Sequence, residues 1–191
     1  MENWTGVRTS AIGFFSNIAR ENYHKLPVLE SQKREINEED VSSETIDEEK
    51  SFKVMKLEEE TDKCVVLAIV FAAIAVEAYI YDYASRNFSD AFVKTYLDKL
   101  DPVSKWVIIP RLVTGKELPR DHRWFELLNN LFQQRNRIVH QKSSSPPGKI
   151  EDMIFYHKKL QQNSDQIYKT AREAIELLDI LANEIREIDP A

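Results

Sequence analysis

Glycine is scarce in this 191-residue chain, at four residues, and proline is limited to seven. A turn-rich β fold needs both at its reversals, so their shortage, with 30% charged residues, points to long helices. A single cysteine, Cys64, excludes an intramolecular disulfide and with it a disulfide-stapled secreted module. A chain of this size buries about 70% of the surface its unfolded form exposes and needs no staple. The start, Met1-Glu2-Asn3-Trp4, shows no basic patch followed by an apolar stretch. No secretory signal is therefore expected, and a reducing, cytoplasmic setting is. Missing motifs narrow the chemistry further. Without GxGxxG, GKS, GKT or GxSxG, nucleotide-cofactor and serine-hydrolase readings have no support. His24, His122 and His157 lack companions at ligand spacing, and neither HExxH nor paired Cys/His occurs, so no metal and no cofactor is expected.

What is present is charge, unevenly spread. The formal net charge is −6, yet residues 30–60 alone carry 12 acidic and 5 basic side chains. Residues 105–149 carry 9 basic against 3 acidic. Such a local excess can hold a phosphate backbone, although a solvated face is its commoner meaning.

Hydrophobic periodicity predicts an all-α bundle of about five to seven helices forming one domain over 1–191. Residues 4–25 read as a helix with Ile12, Phe15, Ile18, Ala19 and Tyr23 on one stripe, ended by Pro27. The acidic stretch 30–49 reads as a mobile connection or a short surface helix, which places an acidic, mobile connection at about 28–56. Residues 57–86 form the longest helical run. Within it, 64–76 is unbroken apolar sequence, too short for a membrane span before Glu77 interrupts it, and better placed as a central helix covered on all sides.

Punctuation sets the rest. Ser89-Asp90 opens a helix to about Leu100. Asp101-Pro102 opens another, with Trp106, Ile109 and Leu112, bent or broken near Pro110 and closed at Gly115. Asp121 caps a helix running to about Gln141, and Ser143-Ser144-Ser145-Pro146-Pro147-Gly148 is a loop. The tail, 149–188, is helical with a break near Asn163-Ser164-Asp165. Its inward stripe is Ile167, Ala171, Ala174, Leu178, Leu181 and Ile185.

One segment looks chemical: Arg135-Asn136-Arg137-Ile138-Val139-His140. At about 100° per residue, Asn136, Arg137 and His140 share a face, while Leu128, Leu131, Ile138 and Val139 cluster opposite. Arg135 falls inside that apolar stripe, so its charge must snorkel outward or find a buried acid. Glu77, the only charge between Cys64 and Tyr81, has the complementary problem, and the two are expected to meet. Plainer readings stand beside these. His140 can be a helix-terminal histidine favoured by the carbonyl end, Arg135 and Glu77 a structural ion pair, and Arg137 a surface cation. Trp106, Trp124 and Phe125 suit a core or an interface better than a base-stacking platform.

The arginine, polar residue and histidine at Arg135, Asn136 and His140 resemble the motif of the HEPN superfamily. Residues 66–83, containing Ala75-Val76-Glu77-Ala78-Tyr79, resemble that family's central helix with its glutamate. Lys105-Trp106, Ile109-Pro110 and Thr114-Gly115-Lys116 resemble its intervening segment, so the likeness covers about residues 60–142. The resemblance implies a metal-independent endoribonuclease cleaving RNA through its own 2′-hydroxyl. It further implies a homodimer whose motif helices face one cleft, and roles in antiviral defence, toxin–antitoxin or stress control. Arg135, Asn136 and His140 would be catalytic, Glu77 supporting, and Arg137 and Lys142 RNA-binding. Histidine transfers protons near neutrality and arginine grips phosphate oxygens, so these residue types suit the chemistry independently of the family. Some family toxins carry a tyrosine two residues after the histidine, modified by an antitoxin. Here that position is Lys142, which removes support for such control. The alternative is a non-catalytic interaction module of the same type, binding a partner protein or nucleotide away from any membrane.

Overall fold

A computed structural model describes residues 11–38, 48–140 and 150–189, the last group without side chains for 150–161. Six α-helices and one π-helical turn make up these residues, with no strand among them. They are α1 (Ala11–Glu38), α2 (Glu48–Asn87), α3 (Asp90–Phe92), a π-turn (Val93–Leu97), α4 (Pro102–Thr114), α5 (Arg123–Val139) and α6 (Ile150–Ile188).

Pro27 does not end the first helix, and residues 28–38 and 48–56 are helical rather than a connection. The cause is a seam that crosses the proline. Phe15, Ala19, Asn22, Leu26, Leu29, Lys33 and Ile36 recur at alternating spacings of four and three, the repeat of a helix laid along another helix. The partner is α2, with which α1 makes its most extensive contact. Phe15 stacks on Phe71 with centroids 5.9 Å apart, and Lys33 bridges Glu58 at 3.2 Å, so the two helices run antiparallel. Pro27 is exposed, and burial along the seam offsets the one N–H it lacks. Residues 1–10 and 39–47, with the remainder of the expected connection, lie outside the described residues.

The bundle forms around α2. None of residues 64–76 is exposed, and Ala68, Ile69, Ala72 and Ala75 are fully buried. An 18-residue window of α2 is long and apolar enough to cross a membrane by length and composition, and half of it is buried within the fold. On one side of it α6 runs parallel, tied by the Tyr83 hydroxyl donating to Asp189 at 2.8 Å. Antiparallel α5 meets α6 through Arg123, whose Nη2 donates to Glu176 at 2.9 Å, and α1 meets it through Arg20 and Asp179 at 2.6 Å. Asn163, Ser164 and Asp165 do not break α6. None of them is buried, and the inward residues Thr170, Ala171, Ala174 and Leu177 keep the helix continuous against the core.

The short elements close one end. Ser89 caps α3 by accepting from the Phe92 amide at 3.3 Å, and the expected helix to about Leu100 becomes a π-turn whose Val93 and Leu97 are buried. Asp101 caps α4 as its pattern requires, its carboxylate accepting from the Ser104 amide at 3.1 Å. Gly115 ends α4 at φ 73°, a left-handed conformation that a side chain would strain. Between them α4 continues through Pro110, which is buried with Trp106 and Ile109. Asp121 does not cap α5. The turn from Pro119 to His122 takes it out of register, anchored by the Trp124 indole donating to the Pro119 carbonyl at 2.9 Å, and His122 occupies the cap.

Candidate functional site

Glu77 and Arg135 do not meet. Glu77 pairs with Lys105 at 3.2 Å, and Lys105 pairs equally with Asp98 of the π-turn end. The Lys105 side chain is 4% exposed, whereas Glu77 is 34% and Asp98 53% exposed. The buried charge is thus a cation reached by two half-hydrated acids. Lys105 interrupts an otherwise apolar inward face of α4 beside Trp106, the same signal that singled out Glu77. Tyr79 stacks on Trp106 at 5.6 Å, so the network sits on the α2–α4 contact. It supports the fold and lies away from the end of α5.

Arg135 is half-buried and takes the outward option. Its Nη1 donates to Oδ1 of Asn136 at 3.0 Å, and it forms no ion pair among the described residues. Asn136 and Arg137 are exposed. His140 is the C-cap of α5, exposed, its backbone N–H donating to the Asn136 carbonyl at 3.0 Å. The Asn136 side chain makes no hydrogen bond to the His140 ring among the described residues. Lys142 lies outside the described residues.

What the last turn of α5 does share is a cavity. Arg137, Ile138 and His140 line a space of about 700 Å³ between α2, α5 and α6, whereas Arg135 and Asn136 turn away from it. Asp62, Val65 and Val66 of α2 form a second wall. Asn163, Ser164, Ile167 and Tyr168 of α6 form the third, and Gln134 closes the α5 side. Gln134 is 5% exposed and is the buried polar residue of that wall. Asp62, Ser164 and Tyr168 also border a second cavity of about 850 Å³ toward Lys33 and Arg34 of α1.

Electrostatics differ between the two ends of this space. Burial, then the neighbouring Glu58, pushes the Asp62 carboxyl above its usual range, against the pull of Lys33. Burial, then the charges of Asp62 and Glu30, pushes the Tyr168 phenol up to about 12, so it remains a hydroxyl donor at any physiological pH. The α5 end thus offers the Arg137 guanidinium and the His140 imidazole, and the opposite end the Asp62 carboxyl and the Tyr168 hydroxyl. Among the described residues no three His, Cys, Asp or Glu side chains converge as metal ligands.

The pairing of Arg137 with His140 follows from their three-residue spacing. The opposite walls were not singled out from sequence. Gln134 carried a readable signal, a polar residue on the stripe of Leu127, Leu131 and Ile138. Asp62 and Tyr168 carried none, because only the parallel packing of α2 on α6 brings them together. The chain matches no family model, no curated protein and no solved structure.

Proposed function

We propose that the protein is a metal-independent endoribonuclease that cleaves RNA through attack of its own 2′-hydroxyl. The observation that carries this reading is that His140 and Arg137 line one cavity at the end of α5. Cleavage of this kind needs a proton acceptor, a proton donor and a cation on the phosphate. An exposed imidazole beside a guanidinium supplies one proton-transfer group and the cation. The second proton-transfer group comes, in this reading, from His140 of a second copy in a twofold homodimer. Val139, 55% exposed beside the motif and off the cavity, suits such a helix-to-helix contact. Arg135, held to Asn136 at 3.0 Å, is a second phosphate contact on the flank facing that copy. A cellular role in defence, toxin–antitoxin pairing or stress control fits this activity.

The alternative, a helical interaction module, draws on a different surface. Phe88, Phe92 and Tyr96 form a ladder with ring centroids 5.3 and 5.2 Å apart, and Tyr96 is 64% exposed. The decisive experiment incubates the purified protein with RNA in EDTA, beside His140→Ala. The proposal expects cleavage with a cyclic phosphate on the 5′ fragment and none from the variant. Equal cleavage by His140→Ala, or a strict need for magnesium, ends the proposal and leaves the interaction module.

A further inference from the structure

The cavity beside His140 is built for more than a phosphate. Its volume, about 700 Å³, lies in the range of small-molecule sites, and its interior is mixed. Val65, Val66, Ile138 and Ile167 give it apolar walls. Gln134, a residue 5% exposed, lines the cavity with a primary amide, which both donates and accepts hydrogen bonds. A hydrocarbon ligand would leave that amide and the Asp62 carboxylate unsatisfied. A bare polyanion would meet Asp62, with Glu58 close behind it. The matching ligand has a planar apolar body, hydrogen-bonding edges and an anionic end.

We propose that this cavity is a nucleobase subsite that takes guanine, with Asp62 reading the base and Arg137 receiving its phosphate. The inference rests on the ribonuclease reading for its RNA context, since single-stranded RNA is recognised through bases splayed into such sites. The choice of guanine follows from hydrogen-bond inventories. An ionised carboxylate only accepts. Guanine alone presents two adjacent donors, N1–H and the N2 amino group, to accept from. Adenine and cytosine place a ring-nitrogen lone pair beside their amino group, and uracil flanks its single N–H with two carbonyls, so each repels a carboxylate at one position. The guanine O6 then accepts from the Gln134 amide N–H on the same cavity lining.

Calorimetric titration of the intact protein with GMP, AMP, CMP and UMP tests this directly. GMP is expected to bind at least tenfold more tightly than the others. Asp62→Asn should remove that preference, a loss of roughly 10- to 100-fold for a hydrogen bond to a charged acceptor. Gln134→Leu, which retains side-chain volume, should weaken GMP without restoring AMP, and circular dichroism checks that both variants fold. No binding at millimolar GMP, equal binding of all four nucleotides, an unchanged Asp62→Asn, or equal competition by inorganic phosphate would each overturn the subsite. Guanine-selective binding without RNA cleavage would keep the subsite and remove the ribonuclease. Cleavage without nucleotide selectivity would do the reverse.

Discussion

Lys105 gives the fold its most instructive perturbation. At an effective dielectric near 20, one opposite charge at about 3 Å attracts an ammonium by roughly 5 kcal/mol, against a desolvation penalty of several kcal/mol for burying it. One acid therefore about balances the burial of Lys105, and the second makes the network favourable. Asp98, 53% exposed, is the better screened of the two, so Glu77 should dominate. Removing Glu77 alone is expected to cost about 2 kcal/mol, and removing Asp98 alone about 1 kcal/mol. Removing both strands a cation whose side chain is 4% exposed. The double variant should then lose about 3–5 kcal/mol, at or above the sum of the single losses. Adding Lys105→Met to the double variant should recover most of it, because a methionine of similar length fills the site without a charge. Urea unfolding reads all four variants beside the wild type, with unchanged slopes checking that the unfolded states are comparable. A triple variant no more stable than the double would refute the reasoning, since the loss would then not come from a stranded charge.

The cap of α4 gives a pH test. Hydrogen bonds to Ser104 hold the Asp101 carboxyl below its usual range, so its stabilisation is present above the unfolded pKa and is lost as pH falls through the folded one. Asp101→Ala should cost about 1 kcal/mol at pH 7, and Asp101→Asn should keep the cap while flattening the acid side of the stability profile. Gly115→Ala should cost about 1 kcal/mol in thermal unfolding, because its φ of 73° strains any side chain although space is open around it. RNA cleavage, followed by product analysis, should trace a bell against pH and fall with added salt as phosphate contacts are screened. A flat pH profile would rule out the paired imidazoles.

Helix class and the buried run 64–76 were readable because apolar periodicity survives any packing arrangement. The α1 seam went unread beyond Pro27, because a proline is a local stop signal and the alternating four and three spacing that continues past it counts only once the helix packs on α2. Asp101-Pro102 and Gly115 worked because caps are set by their own neighbours. Asp121 failed because its turn is shaped by a tryptophan three residues on. In the candidate site, Arg137 and His140 were legible from helical spacing. Glu77 was rightly marked as a charge needing a partner, but which partner depends on how α4 crosses α2, and Lys105 lies 28 residues away in sequence. Asp62 and Tyr168 are brought together only by helix packing, which no local pattern encodes.

His140 stands where the chain leaves its helix. In the last turn of α5 only Ile138 packs against the core, while Asn136, Arg137, Val139 and His140 are exposed. Helix ends with so few apolar contacts open with free energies far below that of global unfolding. The geometry around His140 is therefore held by the final turn, while Leu131 and Leu128, fully buried about two and three turns earlier, hold the helix. Any chemistry that relies on this imidazole should fade on heating well before the bundle melts. Heat would disarm the protein while its circular dichroism still looked native.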